Sequence, residues 1–337
     1  MSTVHSYKFA ARLNSFKNGA SAVAKQDQGK PEVFSLLRRA AHVQGLNAVD
    51  LNYPDHLQKS DVKELKQHLV DLGLNVNGFA MRYYSDPGFK LGAFTNPDAK
   101  LRRLAVDQTK RGIDQMLELG GSLMTLWMGQ DGFDYSFQVD YAKLWDQTLE
   151  AMAEVADHAP QSEISIEYKP NEPRSFSLMP DIGTTLLAIR ELNRNNVGVT
   201  IDFAHVLYAD EMPAYAVALA ARSSKLFGVH LNDGYAKRDD GLMVGTVHPV
   251  QTIELLYVLE DIGYTRPIYF DTFPDTTGLD PIAECSANIA SVEAMRGVVK
   301  QLQKDNRLRA AVARQDAVTS STILREALYG GRHTSTA

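Results

Sequence analysis

The chain has 337 residues, a formal net charge of -6, 44% hydrophobic and 23% charged residues. The acidic balance argues against a nucleic-acid partner, which needs a basic face. No run of 18 apolar residues predicts a membrane span, and the single cysteine, Cys285, excludes an internal disulfide framework and reads as core filler. The N-terminus lacks the basic-then-apolar order of a secretion signal, so the cytoplasm is the expected compartment.

Strand and helix patterns alternate along the chain. Lys8 to Asn14 reads as a first strand. A helix is predicted from Pro31 to Gln44, with apolar residues at helical spacing, and Gly45 closes it. Asn47 to Asn52 is a second strand, and Asp61 to Leu72 a helix with Ser60 as N-cap. Asn75 to Met81 is the third strand, and Asp98 to Leu119 a long helix ended by Gly120-Gly121. Ser122 to Met128 is the fourth strand, followed by a helix from Tyr141 to His158.

The next four strands are short apolar runs that each carry or end in a metal-type ligand. They read Ile164-Ser165-Ile166-Glu167, Val199-Thr200-Ile201-Asp202, Phe227-Gly228-Val229-His230 and Pro267-Ile268-Tyr269-Phe270-Asp271. Continuous apolar runs are the mark of buried parallel strands. Helices near Thr184–Asn193, Met212–Ala221 and Pro249–Ile262 separate them. Eight strand-helix alternations predict a parallel sheet closed on itself, a (β/α)8 TIM barrel over residues 1–278. Residues 279–337 are expected to form a helical C-terminal extension of the same compact unit, ending in a frayed polar tail. Barrels of this kind commonly associate, and a homo-oligomer, dimer or tetramer, is expected, with the C-terminal helices the first candidate interface.

Such barrels place their chemistry at the C-terminal ends of the strands. A carboxylate such as Asp271, flanked by apolar sequence, is costly to bury unpaired. A divalent cation shared by Glu167, Asp202, His230 and Asp271 would compensate it. Oxygen ligands with one imidazole suit Mn²⁺, Mg²⁺ or Co²⁺, whereas a structural zinc site favours thiolates. Glu167 and Lys169 share a strand face, so Lys169 is either an electrophile beside the metal or half of a structural ion pair. His205, three residues after Asp202, reads as a further ligand or as a satisfied core imidazole. Asp239 and Asp240 lie in a Gly- and charge-rich loop after His230, where an active site or plain solvated surface would both fit.

Trp127, Phe79, Tyr53 and Phe273 fall at strand ends. An aromatic wall there fits a sugar's C–H faces, and barrel core is the simpler reading for any one of them. His56, after the second strand, reads as a proton shuttle or a surface loop residue. Neither GxxxxGK[ST] nor GxGxxG occurs, so no nucleotide cofactor is expected.

With these motifs in hand, the chain resembles the xylose-isomerase-like TIM-barrel superfamily of sugar isomerases and epimerases. Residues 120–275 are most similar to broad-specificity L-rhamnose isomerase, through Glu167-Tyr168-Lys169, Asp202-Phe203-Ala204-His205, His230-Leu231-Asn232-Asp233, Asp239-Asp240-Gly241-Leu242 and Tyr269-Phe270-Asp271. The resemblance implies that Glu167, Asp202, His230 and Asp271 hold one metal that anchors two sugar oxygens. It implies a second metal on His205 with one or both of Asp239 and Asp240, and a carbonyl polarised by Lys169. Lys169, His205 and Asp240 are then the expected catalytic residues, and Trp127, His56 and Phe273 the expected sugar contacts. One departure stands out: where the family's loop has three consecutive acidic residues, this chain has Arg238 in the first place. The implied activity is a metal-dependent interconversion of aldose and ketose. A sugar epimerase, or a decarboxylase or lyase on a sugar acid whose carboxylate Arg12, Arg82 or Arg238 would pair, are the alternatives on the same scaffold. The epimerases use a pair of glutamates, and here the eighth strand supplies Asp271.

Overall fold

A computed structural model describes residues 7–17 and 31–330. Eight strands close a parallel barrel in the order β1 (Phe9–Arg12), β10 (Ile268–Phe270), β9 (Leu226–Leu231), β8 (Val197–Asp202), β6 (Glu163–Glu167), β4 (Leu123–Leu126), β3 (Asn75–Met81) and β2 (Leu46–Tyr53). The expected (β/α)8 fold is thus present. Two further strands, β5 (Gly132–Phe133) and β7 (Phe176–Ser177), form a small antiparallel pair outside the barrel. The frayed tail expected after Gly330 lies outside the described residues.

Helices α1 (Glu32–Ala40), α2 (Val62–Leu72), α3 (Ala99–Glu118), α4 (Tyr141–His158) and α5 (Ile182–Leu192) cover the first five barrel strands. A short α6 (Phe203–Tyr208), then α7 (Pro213–Ser223) and α8 (Pro249–Asp261), complete the ring. After a short α9 (Pro274–Thr277), the extension consists of α10 (Pro281–Lys304), α11 (Asn306–Ala313) and α12 (Ala317–Tyr329). Helix α10 is tied to the barrel by a 2.9 Å ion pair from Arg296 to Glu260, with the Arg296 guanidinium over the Tyr7 ring.

Aspartate caps start most of the helices. Asp98, Asp140, Asp181, Asp280 and Asp316 each accept a backbone N–H of the following helix, which satisfies donors the helix leaves open. The same chemistry corrects the start of α2. Asp61, not Ser60, is its N-cap, accepting from Lys63 and Glu64, because a carboxylate can serve both amides while Ser60 turns back to the His56 carbonyl.

Two glycines are demanded by strand packing. A Cβ on Gly78 in β3 would be driven into the carbonyl oxygen of Leu123, and one on Gly198 in β8 into that of Lys225. Backbone of a paired strand cannot yield as a side chain does. Gly78→Ala is therefore expected to cost about 1–3 kcal/mol, the range for overpacking. Thermal unfolding checks it: a melting temperature unchanged within a degree would show that the strands can part.

Candidate active site

All barrel strands run in one direction, so their C-terminal ends share one rim. Glu167 ends β6, Asp202 ends β8, and His230 lies one residue before the end of β9, in register with Asp202. Asp271 follows β10. One ligand atom from each of the four lies within 4.8 Å of the others. His230 Nδ1 is 3.4 Å from Glu167 Oε1, 3.9 Å from Asp202 Oδ2 and 4.0 Å from Asp271 Oδ2. Ligands held about 2.0–2.2 Å from a divalent ion are at most about 4.4 Å apart, so a contraction of about 0.4 Å at the widest pair would bring all four onto a common cation.

The cluster is buried, and its hydrogen bonding is incomplete. His230 Nδ1, Asp271 Oδ1 and Asp239 Oδ1 have no hydrogen-bond partner although water cannot reach them. Buried polar atoms are normally satisfied, so these three mark where a bound group belongs. Asp202 is fixed on its outer side: Asn232 Nδ2 donates to both its oxygens at 3.2 and 3.1 Å, and His205 N–H donates to Oδ1 at 3.0 Å. Asp202 thereby caps α6 and sets His205 in the first helical turn. Tyr269, a neighbour that its apolar strand context hid, packs its ring 4.2 Å from the His230 imidazole.

Charge in the cluster is redistributed by burial and by neighbours. Burial, with Asp202 and Glu167 close by, pushes Asp271 up to about 7. Burial opposes charge on both imidazoles, yet the surrounding carboxylates prevail. His230 rises to about 9, drawn by Glu167 and Asp271, and His205 to about 10, drawn by Asp202 and Asp239. Glu167, which burial alone would raise, is held below the usual range by His230 and His205. Without a cation, protons compensate this site.

Beside the cluster, Lys169 Nζ lies 2.8 Å from Glu172, 3.3 Å from Asp239 and 5.4 Å from the centre of the Trp127 ring. Burial opposes its charge, but Asp239 and Glu172 hold it protonated above the ordinary lysine value. His205 Nε2 is 3.1 Å from Asp239, and Nδ1 faces the Tyr168 carbonyl at 3.1 Å. Asp239 is held low by His205 and Lys169 despite burial.

The structure brings Glu167, His205, His230, Asp239 and Asp271 to one cavity of about 320 Å³, together with Trp127 and Phe273. Phe273 is fixed there by Gly241: its N–H donates to the Gly241 carbonyl at 2.9 Å, and any Cβ on Gly241, whose φ is +57°, would enter the Phe273 ring. This glycine sets the loop that delivers Asp239.

Four expected site residues are not part of that lining: Asp202 and Lys169 stand behind His230 and Asp239, at 3.9 and 3.3 Å, and Asp240 and His56 point elsewhere. Asp240 turns back into its own loop, accepting from Arg238 Nε at 2.7 Å and from the Tyr235 amide at 2.9 Å. Arg238 thus draws one acidic group aside and leaves Asp239 as the loop's contribution. His56 is buried behind the rim. Its Nδ1 accepts the Asn52 N–H at 3.0 Å, so Nε2 carries the proton and donates to Asn14 Oδ1 at 2.8 Å. Burial, with Lys17 and Arg82 near, lowers it to about 3, so the ring is neutral and engaged at both nitrogens. The pattern of the sequence did not separate these cases, because a loop residue's direction is set by partners distant in the chain.

Cavity-lining residues from the first half of the chain carried no periodic signal. Asp50 and Asn52 on β2 face inward, and Arg12 and Arg82 stand at the ends of β1 and β3. Asp50 accepts from Asn77 Nδ2 at 2.7 Å and is pushed up to about 6 by burial.

A closed parallel barrel with a carboxylate–imidazole cluster and an adjoining lysine at its C-terminal rim defines a class of barrels built around a small-molecule site. Within that class the chain belongs to the xylose isomerase-like TIM barrel family, whose model matches residues 37–295. It is 33% identical to the xylose isomerase of Thermus thermophilus over 248 residues, 71% of this chain and 64% of that protein. With the xylose isomerase of Thermus caldophilus it shares 32% over 216 residues, 62% of this chain and 56% of that protein. The match thus spans less than two thirds of either relative's length. Among solved structures, an L-ribulose 3-epimerase superposes with a TM-score of 0.68 at 16% identity, covering 89% of this chain and 99% of that one. A D-allulose 3-epimerase from Methylomonas sp. gives 0.66 at 16% identity, over 87% and 99%. Identities this low speak to fold alone. The family model and the Thermus thermophilus relative carry the family; a specific likeness to L-rhamnose isomerase is not shown. No helix among the described residues is long and apolar enough to cross a membrane.

Proposed function

We propose that the protein is a divalent-metal-dependent sugar isomerase that interconverts an aldose and a ketose. The observation that supports this most is the convergence of four ligand atoms from Glu167, Asp202, His230 and Asp271, with the Lys169 ammonium beside them, 3.3 Å from Asp239. Mn²⁺, or Mg²⁺ or Co²⁺, would be held by those four, and a second ion by His205 and Asp239. Such a cation supplies Lewis acidity toward a carbonyl and lowers the pKa of an adjoining hydroxyl. The chain's own part is distinct. Lys169, kept charged by Asp239 and Glu172, donates a hydrogen bond to the carbonyl oxygen as negative charge grows there. His205 positions Asp239, whose free Oδ1 faces the cavity as a hydroxyl acceptor. Trp127 and Phe273 offer aromatic surface to the sugar's C–H faces.

The isomerase reading is preferred over epimerisation because Lys169 adjoins the cluster and β10 supplies an aspartate rather than a second glutamate. Product analysis after incubation of the Mn²⁺-loaded protein with aldoses and ketoses tests it. Ketose from aldose is the expected outcome, whereas products differing only in configuration at one carbon, or CO₂ release from a sugar acid, would replace it.

Metal removal gives a separate test. In the stripped protein Asp271, His230 and His205 all have raised folded-state values, about 7, 9 and 10. Raised groups lend their full stability below their unfolded values and lose it as pH climbs through the folded ones. The stripped protein should therefore lose stability between pH 6.5 and about 10, in the window of the two imidazoles. A cation replaces those protons, so the gain in melting temperature on adding Mn²⁺ should widen over the same range. A gain independent of pH, or none, would remove the metal from these residues.

A further inference from the structure

The cavity has two unlike sides. On the metal-ligand side the unsatisfied buried atoms are ligand atoms of His230, Asp271 and Asp239. On the other side they are donors only: Asn52 Nδ2, Arg82 Nε and Trp127 Nε1, each from a residue that lines the cavity. Three buried donors without acceptors among the described residues, all on cavity-lining side chains, suit a ligand rich in acceptor oxygens.

Arg82 adds a charge to that demand. Arg12, the other cavity arginine, is already committed, with NH1 2.8 Å from Asp275 and Nε 3.7 Å from Asp271. Among the described residues the Arg82 guanidinium has neither a hydrogen bond nor an ion pair; it rests over the Tyr84 ring at 4.5 Å. Asp55 and Asp271 act on it only through space, while burial and Arg12 work against its charge. A largely buried cation without a partner is expensive to keep, and a guanidinium fork is shaped for a carboxylate.

Topology fixes where such a group would sit. Arg82 follows β3, and His230 lies on β9. In the closed ring these strands are four steps apart in both directions, so the two residues face each other across the barrel. A substrate whose carbonyl end meets the metal ligands therefore presents its far end to Arg82, Asn52 and Trp127. The cavity of about 320 Å³ is at the small end of ligand pockets and suits one monosaccharide.

We infer that the substrate is an acidic sugar, a uronate whose carboxylate, at the end remote from the carbonyl, is held by Arg82 with Asn52 and Trp127. This rests on the isomerase reading above for the chemistry and on Arg82 for the charge. The reaction balances without a co-reactant: one hydrogen leaves C2 for C1, one proton leaves O2 for O1, and the carboxylate is unchanged.

The experiment compares Mn²⁺-loaded protein on matched pairs: D-glucuronate with D-glucose, D-galacturonate with D-galactose, and D-mannuronate with D-mannose. Wild type is expected to favour the uronate at least tenfold in kcat/KM in one pair or more. Arg82→Gln should lower that value about 30-fold, the scale of a lost charge-assisted hydrogen bond, with the hexose value within about threefold. Metal content equal to wild type shows that the opposite side of the cavity is intact, and Arg82→Lys should recover part of the loss. Equal use of hexoses and uronates, a like effect of Arg82→Gln on both, or preference for hexose 6-phosphates would each overturn the proposal. Should no sugar turn over, the isomerase reading fails alone. Calorimetric titration of the same protein with the three uronates and three hexoses still decides the carboxylate site. Uronate binding that Arg82→Gln abolishes supports it, and no uronate binding to wild type overturns it.

Discussion

Glu167→Gln is expected to remove the bound metal and with it at least about a thousandfold of the turnover, the scale of losing a Lewis acid together with the groups it aligns. Glu167 is 7% exposed and central: its Oε1 faces His230 at 3.4 Å and His205 at 3.6 Å. Glutamine has nearly the same shape, so the fold is retained while the site loses one full negative charge. It can offer a cation only a neutral carbonyl oxygen. If Glu167 served merely as an ion-pair partner of the two imidazoles, the substitution would lower the melting temperature of the metal-stripped protein and leave metal uptake alone. As a ligand it does the reverse. Stripped wild type and stripped variant should unfold within a few degrees of each other, because the lost attraction to His230 and His205 is offset by relief of repulsion at Asp202 and Asp271, both raised in part by Glu167. Adding Mn²⁺ should then raise only the wild type. Elemental analysis and unfolding with and without Mn²⁺ read the two quantities separately; full metal content in the variant would place the ion elsewhere.

Much of this site was legible because burial on both faces of a parallel strand forces an apolar run, and a charged residue ending such a run stands out. Glu167, Asp202, His230 and Asp271 carry that contrast, and their strands lie where the pattern puts them, with ends shifted by one or two residues. What the pattern lacks is direction off the rim. Asp239 and Asp240 are adjacent in sequence, yet one meets His205 and Lys169 and the other is turned by Arg238 and the Tyr235 amide. His56 reads as a loop residue free to shuttle protons, but Asn14, forty-two positions earlier, accepts from its ring and locks it. Asp50 and Asn52 were hidden for a different reason: inward polar residues at the middle of a buried strand break the apolar run and look like strand edges. The second side of the cavity, which these residues and Arg82 form, is a product of barrel closure: the sequence offers Arg12, Arg82 and Arg238 alike as partners of a carboxylate, and only closure shows that Arg12 and Arg82 line the cavity.

Lys169→Met is expected to lower kcat by about a hundred- to a thousandfold while metal content stays at the wild-type level, the usual range for one preorganised donor to a developing oxyanion. Methionine keeps much of the length and removes the charge, and with it the ammonium's place over the Trp127 ring. The ammonium is held by Glu172 at 2.8 Å and Asp239 at 3.3 Å, and the two carboxylates keep it protonated beyond the ordinary lysine range in spite of burial. It can therefore donate throughout the neutral and mildly alkaline region and cannot act as a base there. The loss should appear in kcat more than in KM, since the hydrogen bond strengthens as charge develops on the carbonyl oxygen. Lys169→Arg should recover only part of it, because a planar fork cannot occupy the position of a compact ammonium between two carboxylates. A merely structural lysine would behave differently. Its loss would release Asp239 from a partner, loosen the loop after β9, and lower the melting temperature and metal retention together. Steady-state kinetics, metal analysis and thermal unfolding on the same preparations separate the two. A variant that keeps kcat but unfolds earlier would assign Lys169 to the scaffold and leave the carbonyl to the metal alone.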